Sequence, residues 1–201
     1  MLNRMPEAEV SVRLAFWLIQ NQMAAGDVDV AIDGAQVKVG DTVHFDLSGF
    51  LQSAGWRKRG TDNSKWQDIY QHADYSSKIR IHSSPGKGDV VVPLRTGHTL
   101  RVECKKGPTT RSKSSAEYPL IREALGQLLT VQEIGDNDIL AVAVPFSPKF
   151  DELATRWREA TLIRKFGIKI LRGRYEITVT FFTISLRPLM PERYFCVTVI
   201  V

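Results

Sequence analysis

Hydrophobic residues recur along this chain first at the spacing of a helix and then in the alternation typical of strands, which predicts a mixed α/β protein. Val10, Leu14 and Leu18 share one face of a helix over residues 6–23, and Pro6 suits its first turn. The pattern then predicts, in order, a β-hairpin over 28–39 turning at Asp33-Gly34, a short helix over 46–54, and strands within 56–83.

The second half of the chain continues this alternation of helices and strands. Amphipathic spacing predicts helices over 118–133 and 150–166, and short apolar runs predict core strands over 139–144 and 168–171. The residues of the first of these helices that are expected to face inward are Leu120, Ala124, Leu125, Leu128 and Leu129. The β-branched residues of 175–201 lie on both sides of a proline-containing turn and predict a terminal hairpin.

Composition permits these elements to form one domain. The chain has 201 residues, of which 43% are hydrophobic and 24% charged, enough for one sizeable core over residues 1–201. Its formal net charge of +5 permits an anionic partner such as nucleic acid. Residues 1–9 lack the pattern of a signal peptide and no stretch is long enough to span a membrane. The sequence therefore predicts a cytoplasmic protein with no membrane partner.

Two apolar runs carry the candidate chemistry. Asp89 precedes the run 90–94, while Glu103 and Lys105 follow the run 100–102, and the residues between the runs have the composition of a tight turn. The runs should therefore pair antiparallel, with Asp89 opposite roughly residues 104–106. Glu103 and Lys105 are two apart and share one face of the strand. Two carboxylates and one ammonium are thus expected in a single patch.

This patch suits metal-assisted hydrolysis of a phosphodiester. Mg²⁺ takes one or two protein carboxylates together with waters and phosphate oxygens. A bound ion activates water and stabilises charge on the phosphate. Lys105 would position the attacking water or offset the charge that develops on the phosphate. The alternative is that these residues belong to an ordinary half-exposed strand, in which charged residues at alternate positions have no catalytic role.

Asp89 followed by Glu103-Cys104-Lys105 and then a helix resembles the PD-(D/E)XK superfamily of restriction-endonuclease-like nucleases, with Gly88 where the family proline often stands. The resemblance implies Mg²⁺, with Mn²⁺ as a substitute, held by Asp89 and Glu103. It also implies that Lys105 is the catalytic lysine.

The resemblance implies an architecture as well. This is an α/β fold with an α-β-β-β-α-β core, in which helices flank a central mixed sheet. The layout extends over residues 6–171, and extra N-terminal and C-terminal β-hairpins would be added to it.

Two helices supply further candidates through the same resemblance. A helix-borne glutamate often completes the metal site in these families, and Glu9 or Glu7 would fill that role. For Glu9, an ion pair with Arg13 one turn along the helix is an equal interpretation. A glutamine on the helix after the lysine often supports the site, which makes Gln127 a catalytic candidate; a solvated helix face is the alternative.

Basic residues near these segments are candidates for binding nucleic acid. Arg57 and Arg59 lie beside a tryptophan, while Lys106, Arg111 and Lys113 belong to a polar stretch that directly follows the lysine strand. Such side chains neutralise phosphates. A surface connection without a ligand is the alternative for the polar stretch.

The sequence therefore predicts an Mg²⁺-dependent endonuclease that hydrolyses DNA phosphodiester bonds by metal-activated water. A homodimer is expected, because apolar strands at 175–201 need covering and a two-fold axis conveniently serves the two strands of a duplex. The alternatives are a non-catalytic nucleic-acid-binding or assembly module on the same fold, or a nuclease acting on RNA or branched DNA.

Overall fold

The computed structural model describes residues 4–62, 64–84, 86, 88–109, 117–131, 133–165, 168–171 and 195–200. The helices are α1 (Glu7–Gln20), α2 (Leu47–Ser53), α3 (Glu117–Leu128), α4 (Pro148–Glu159) and α5 (Thr161–Lys165). The first strands are β1 (Arg4–Met5), β2 (Val28–Ala31), β3 (Gln36–Val39), β4 (Thr42–Asp46), β5 (Arg57–Lys58), β6 (Asp68–Gln71) and β7 (Ile79–His82). The later strands are β8 (Val90–Pro93), β9 (Thr99–Cys104), β10 (Gly107–Pro108), β11 (Asp138–Pro145), β12 (Ile168–Leu171) and β13 (Phe195–Ile200).

A nine-stranded sheet in the order β12-β13-β11-β9-β8-β2-β7-β6-β5 forms the centre of the fold. The pairs β9–β11 and β2–β7 are parallel. The other neighbours are antiparallel, so the sheet is mixed. The predicted α/β class, with a central mixed sheet flanked by helices, is confirmed.

Strand β11 is covered on both faces, which explains its continuous apolar sequence. Ala141 and Ala143 belong to the core cluster that includes α1, β2, β8 and β9. Val142 and Val144 point the other way and pack with α3 and α4. Because side chains alternate along a strand, a strand buried on both faces needs apolar residues at every position. Helices therefore lie on both sides of the sheet here.

The hairpin predicted to carry Asp89 is confirmed. Val90 pairs with Val102 in the antiparallel β8–β9 ladder. The turn closes with a hydrogen bond from the Leu94 N–H to the His98 carbonyl at 2.7 Å. Gly97 within the turn has a φ of +86°, a conformation that glycine adopts without steric cost.

The hairpin predicted over 28–39 is wrong. Strand β2 pairs with β7 and β8 in the main sheet, and β3 pairs instead with β4, with Gln36 opposite Asp46. Val28 and Val30 are fully buried in the core. A strand with such a face gains more from a central position in a large sheet than from a local two-stranded ribbon.

Three of the four predicted helices agree with the structure except at their ends, and the fourth is divided in two. The predicted helices at 6–23, 46–54 and 118–133 are present as α1, α2 and α3, and the Asp46 carboxylate caps α2 by accepting from the Gly49 N–H at 2.7 Å. Leu129 was expected in the core but is 76% exposed, because α3 ends one residue earlier. The single helix predicted over 150–166 is divided into α4 and α5 around Ala160.

Only part of the predicted terminal hairpin lies within the described residues. Strand β13 lies between β11 and β12 and is antiparallel to both. A strand paired on both sides has no free edge. The need to cover an exposed edge, from which the homodimer was inferred, is therefore removed for residues 195–200. In the described part of the chain, no helix is long and apolar enough to cross a membrane.

Candidate functional site

The candidate residues come together where β8 begins and β9 ends. The Asp89 N–H donates to the Val102 carbonyl at 2.8 Å, and an Asp89 carboxylate oxygen accepts from the Cys104 N–H at 2.7 Å. The ladder register continues from Val90 and Val102 to place Asp89 level with Glu103, one residue before the predicted range. Asp89 and Glu103 therefore occupy neighbouring strands at one end of the sheet.

Gly88 leads the chain into β8, close against β9, in a conformation that proline cannot adopt. Its φ is +100°, and a Cβ at this position would lie 3.2 Å from the Val102 carbonyl oxygen. Proline fixes φ near −65°, so it does not fit here. The departure from the family motif at this position thus has a local structural cause.

Lys105 is held in place by its backbone and by carboxylates from two helices. Its N–H donates to the Ala143 carbonyl at 2.9 Å, which extends β9 alongside β11. Its Nζ lies 3.3 Å from the Oε1 of Glu7 on α1 and 3.7 Å from the Oε1 of Glu123 on α3. The side chain is only 6% exposed. The ammonium is therefore a buried charge with carboxylates on two sides.

Glu7 also binds the backbone of Lys106, the residue after Lys105. The Lys106 N–H donates to the Oε2 of Glu7 at 3.4 Å, while the Oε1 of Glu7 faces Lys105. Glu7 lies in the first turn of α1, where the positive end of the helix dipole stabilises a carboxylate. The N-terminus of α1 is thus joined to the end of β9.

Burial and like charges disfavour ionisation of the two candidate acids. Burial raises the pKa of Asp89 to about 7, with smaller contributions from Glu103 and Glu7 that exceed the opposing effect of Lys105. The hydrogen bond from the Cys104 N–H acts in the opposite direction. Burial also raises the pKa of Glu103, against the lowering effect of Lys105. A cation bound between these carboxylates would relieve this repulsion.

Lys105 and Cys104, the two other titratable residues of this segment, differ in whether their side chains are charged at neutral pH. Burial lowers the pKa of Lys105, but Glu7 and Asp89 more than offset this, so the pKa is raised and the ammonium stays charged at neutral pH. Cys104 is fully buried on the other face of β9, and burial raises the pKa of its thiol well above the usual value. Cys104 is therefore a core residue and not a nucleophile.

Of the two glutamates considered on α1, Glu7 is the one that reaches Lys105. Glu9 is buried and its carboxylate accepts from the Arg13 Nε at 2.8 Å, the ion pair that was the alternative interpretation. Gln127, the glutamine considered on α3, is exposed. One turn earlier on the same helix, Glu123 contacts Lys105 instead.

Glu123 was not predicted as a site residue, because the resemblance implied a glutamine on this helix. The spacing of residues along the helix could have indicated Glu123 as well. Glu123 is one turn before Gln127, and it follows the buried Leu120 and Ile121 on the part of α3 that meets the sheet. The distance between Glu123 and Lys105 depends on how α3 packs against β9, and this packing cannot be derived from the sequence.

The basic candidates lie in different places. Lys106 is exposed beside the site. Arg57 and Arg59 are exposed at the far edge of the sheet, where Arg57 also donates to the Gln52 carbonyl at 3.0 Å. Trp56, the tryptophan beside Arg57, is 2% exposed and stacks on Phe16 in the core. The remaining two candidates, Arg111 and Lys113, lie outside the described residues.

The acid pair is compatible with a magnesium ion. Within the described ranges, no three or more His, Cys, Asp or Glu side chains form a group arranged to hold a metal. Mg²⁺ does not require such a group, because it binds through one or two carboxylates and completes its shell with waters and phosphate oxygens. The hard oxygen donors of Asp89 and Glu103, whose charges repel each other, fit this requirement.

Comparison of the chain with protein-family models, curated proteins and solved structures finds no match. The likeness to PD-(D/E)XK nucleases therefore rests on Asp89, Glu103 and Lys105. A functional assignment has to be argued from the geometry of these residues and from the elements that hold them.

Proposed function

We propose that this protein is an Mg²⁺-dependent endonuclease that hydrolyses phosphodiester bonds in DNA. The observation that carries the proposal is the convergence of Asp89, Glu103 and Lys105 at one end of β8 and β9. Glu103 raises the pKa of Asp89, and Lys105 lowers the pKa of both acids against the larger effect of burial. Charged residues on an ordinary solvated strand would not be buried together in this way, and burial would not raise the pKa of their carboxyl groups.

The order of elements supports a restriction-endonuclease-like core. When the segment from β3 to β7 is treated as an insertion and the separate two-stranded sheet of β1 and β10 is set aside, the order up to β11 is α1, β2, β8, β9, α3 and β11. This is the succession of helix, three strands, helix and strand that the resemblance implies. The four strands are also consecutive neighbours in the sheet, in chain order.

Asp89 and Glu103 are the proposed metal ligands, and Glu7 lies within reach of the same charge network. A bound Mg²⁺ supplies an activated water and stabilises charge on the phosphate. The Cys104 N–H holds Asp89 through a 2.7 Å hydrogen bond. The antiparallel ladder holds Asp89 and Glu103 side by side, so the ligand pair is preorganised by the backbone.

Lys105 is proposed to act as a fixed cation. Its raised pKa keeps a proton on Nζ at neutral pH, so it cannot serve there as a general base. A buried ammonium can instead donate a hydrogen bond to a phosphate oxygen or to the attacking water. Glu7 and Glu123 hold this ammonium from two helices at 3.3 and 3.7 Å.

Plasmid cleavage tests the proposal. Supercoiled plasmid is incubated with the purified protein in Mg²⁺, in Mn²⁺ and in EDTA, alongside Glu103→Ala and Lys105→Met. Glu133→Gln, a change at an exposed glutamate far along the chain from the motif, is the matched control. We expect metal-dependent nicking or linearisation in the parent and the control, and its loss in both site variants.

The fold of each variant is checked by circular dichroism, so that lost cleavage is not confused with unfolding. Cleavage that survives Glu103→Ala or Lys105→Met in a folded protein would refute the site assignment. If the parent does not cut plasmid in either metal, RNA and branched DNA are the next substrates. Failure on these as well would favour a non-catalytic binding or assembly module.

The homodimer stays a prediction. Two sites related by a two-fold axis would address the two strands of a duplex. Light scattering at micromolar concentration measures the mass directly, and a monomeric mass would contradict it.

A further inference from the structure

The half of the sheet formed by β8, β2, β7, β6 and β5 has two different faces. On one face, Val28, Val30, Ile79 and Ile81 are buried in the core cluster that also contains residues of α1 and α2. Side chains on a strand alternate, so the residues between these four point to the opposite side. Among the described residues, helices α3 and α4 pack against β9, β11, β12 and β13, which form the other half of the sheet.

The opposite side of this half-sheet, which we call the open face, carries arginines. Ladder pairing places Ile69 opposite Arg80, Arg80 beside Asp29, and Asp29 opposite Val91. Arg59 extends the same row, because its N–H donates to the Ile69 carbonyl at 2.9 Å. The row therefore runs across all five strands from Arg59 to Val91.

Exposure distinguishes the open face from the core face. The side chain of Arg80 is 52% exposed and that of Asp29 is 37% exposed. Arg59 is exposed, and Arg57, two residues before it on the same face, is exposed as well. Long polar side chains thus meet solvent where the other face has valine and isoleucine.

The open face leads to the candidate active site. Asp89 is two residues before Val91 on β8, so both point to the open face. Glu103 is two residues after Arg101, which pairs with Val91 in the ladder, and therefore shares this side. Four strand spacings of about 4.8 Å separate β8 from β5, so the face extends roughly 19 Å from Asp89 towards the far edge.

The charges of the open face favour an anion. The row contains two arginines, Arg59 and Arg80, and one carboxylate, that of Asp29, which pairs with Arg80 at 2.9 Å. This pair is exposed and exchanges partners at little cost. An incoming phosphate can therefore replace Asp29 as the partner of Arg80.

The chemistry of the row distinguishes a duplex from a single strand. Proteins that bind single strands on a surface commonly stack bases on aromatic side chains. None of the five described residues of this row, from Arg59 to Val91, is aromatic, and the uncharged members are isoleucine and valine. Arginines that contact phosphates position the nucleic-acid backbone and read no sequence.

We propose that the open face is a docking track for the phosphate backbone of duplex DNA, which Arg59 and Arg80 hold while it passes towards Asp89 and Glu103. The proposal rests on the proposed function for the position at which the DNA is cut, but docking itself requires no cleavage. Binding and cutting can therefore be tested separately.

The test uses fluorescence anisotropy with a labelled 30-base-pair duplex of mixed sequence, in EDTA, over a range of salt concentrations. The first variant is the double substitution Arg59→Gln and Arg80→Gln. Each lost phosphate contact should lower the slope of log affinity against log salt by about 0.9, which is roughly eightfold in affinity at 0.1 M salt. Two lost contacts should therefore weaken binding by up to about 60-fold.

Asp29→Asn provides a change of opposite sign on the same face. Removal of its negative charge should tighten duplex binding several-fold, whereas a disturbed fold would weaken it. Arg164→Gln removes one exposed arginine from α5, at the other half of the sheet, and is the control for losing a positive charge away from the open face. We expect its affinity to stay close to that of the parent.

The outcomes separate the open face from the active site. Weakened binding in the double variant and tightened binding in Asp29→Asn support the track, even if no substrate is ever cut. Unchanged affinity in both, or an equal loss in Arg164→Gln, overturns the track even if the parent cleaves plasmid. Tighter binding of the single strand than of the duplex also overturns it.

If the parent cleaves, Arg80→Gln should raise KM and leave kcat unchanged, because Arg80 lies two strands away from Asp89.

Discussion

Asp89→Asn should stabilise the protein at alkaline pH while removing its proposed metal site. The substitution keeps the shape of the side chain, and the amide oxygen can still accept the hydrogen bond from the Cys104 N–H, which is 2.7 Å long in the parent. What disappears is a carboxylate that burial makes costly to ionise. A residue kept for its chemistry is often one that the fold would be more stable without.

The magnitude follows from the pKa of Asp89, which is raised from 3.8 to about 7. Between these two values the folded state binds more protons than the unfolded state, so stability falls as pH rises through this range. A difference of about 3 units, at 1.36 kcal/mol each, makes the ionised carboxylate cost about 4 kcal/mol above pH 7. The asparagine variant avoids this cost.

Urea denaturation between pH 5 and 8.5 in EDTA measures the effect. The free energy of unfolding of Asp89→Asn should exceed that of the parent by a few kcal/mol at pH 8, and the difference should shrink as pH falls towards 5. Added Mg²⁺ should stabilise the parent and leave the variant unchanged, because only a protein that binds the ion gains from it.

Asp41→Asn, an exposed change in the turn between β3 and β4, is the control and should show little difference at any pH. The reasoning is refuted if Asp89→Asn is no more stable than the parent at pH 8. It is also refuted if the difference does not change with pH, since the origin of the effect is then not the ionisation of Asp89.

Two further predictions concern the supports of the site. Glu7→Gln should abolish plasmid cleavage, whereas Glu9→Gln should leave cleavage in place and lower only the free energy of unfolding, because Glu9 forms an ion pair within α1; equal loss of cleavage in both would contradict the distinction. Gly88→Ala should cost about 1–3 kcal/mol in urea denaturation because of its φ of +100°. Gly126→Ala within α3, where a Cβ has open space, should instead raise the free energy of unfolding by up to about 1 kcal/mol. A similar effect of the two substitutions would contradict the role assigned to the positive φ of Gly88.

Local signals predicted most of the elements correctly. Helix α1 and the β8–β9 hairpin were found because their hydrophobic periodicity and the turn at Gly97 are properties of adjacent residues. Counting outward from that turn placed Asp89 within one residue of its actual neighbour on β9, Glu103. This worked because a tight turn fixes the register of the two strands that it joins.

Partners distant along the chain could not be predicted in this way. Strand β2 was expected to pair with the next strand, yet its neighbours are β7, 51 residues further along at Arg80, and β8, 62 residues further along at Val91. The position of β13 between β11 and β12 was likewise not predicted, since an apolar strand fits a sheet interior and a terminal hairpin equally well.

The positions of Asp89, Glu103 and Lys105 at one end of a hairpin could be derived from the sequence, because they depend on a turn and on the two-residue period of strands. The approach of Glu7 and Glu123 to Lys105 and the open face on half of the sheet became visible only in the folded molecule. These features depend on how helices pack against strands. A packing contact joins residues whose separation along the chain has no relation to their distance in space.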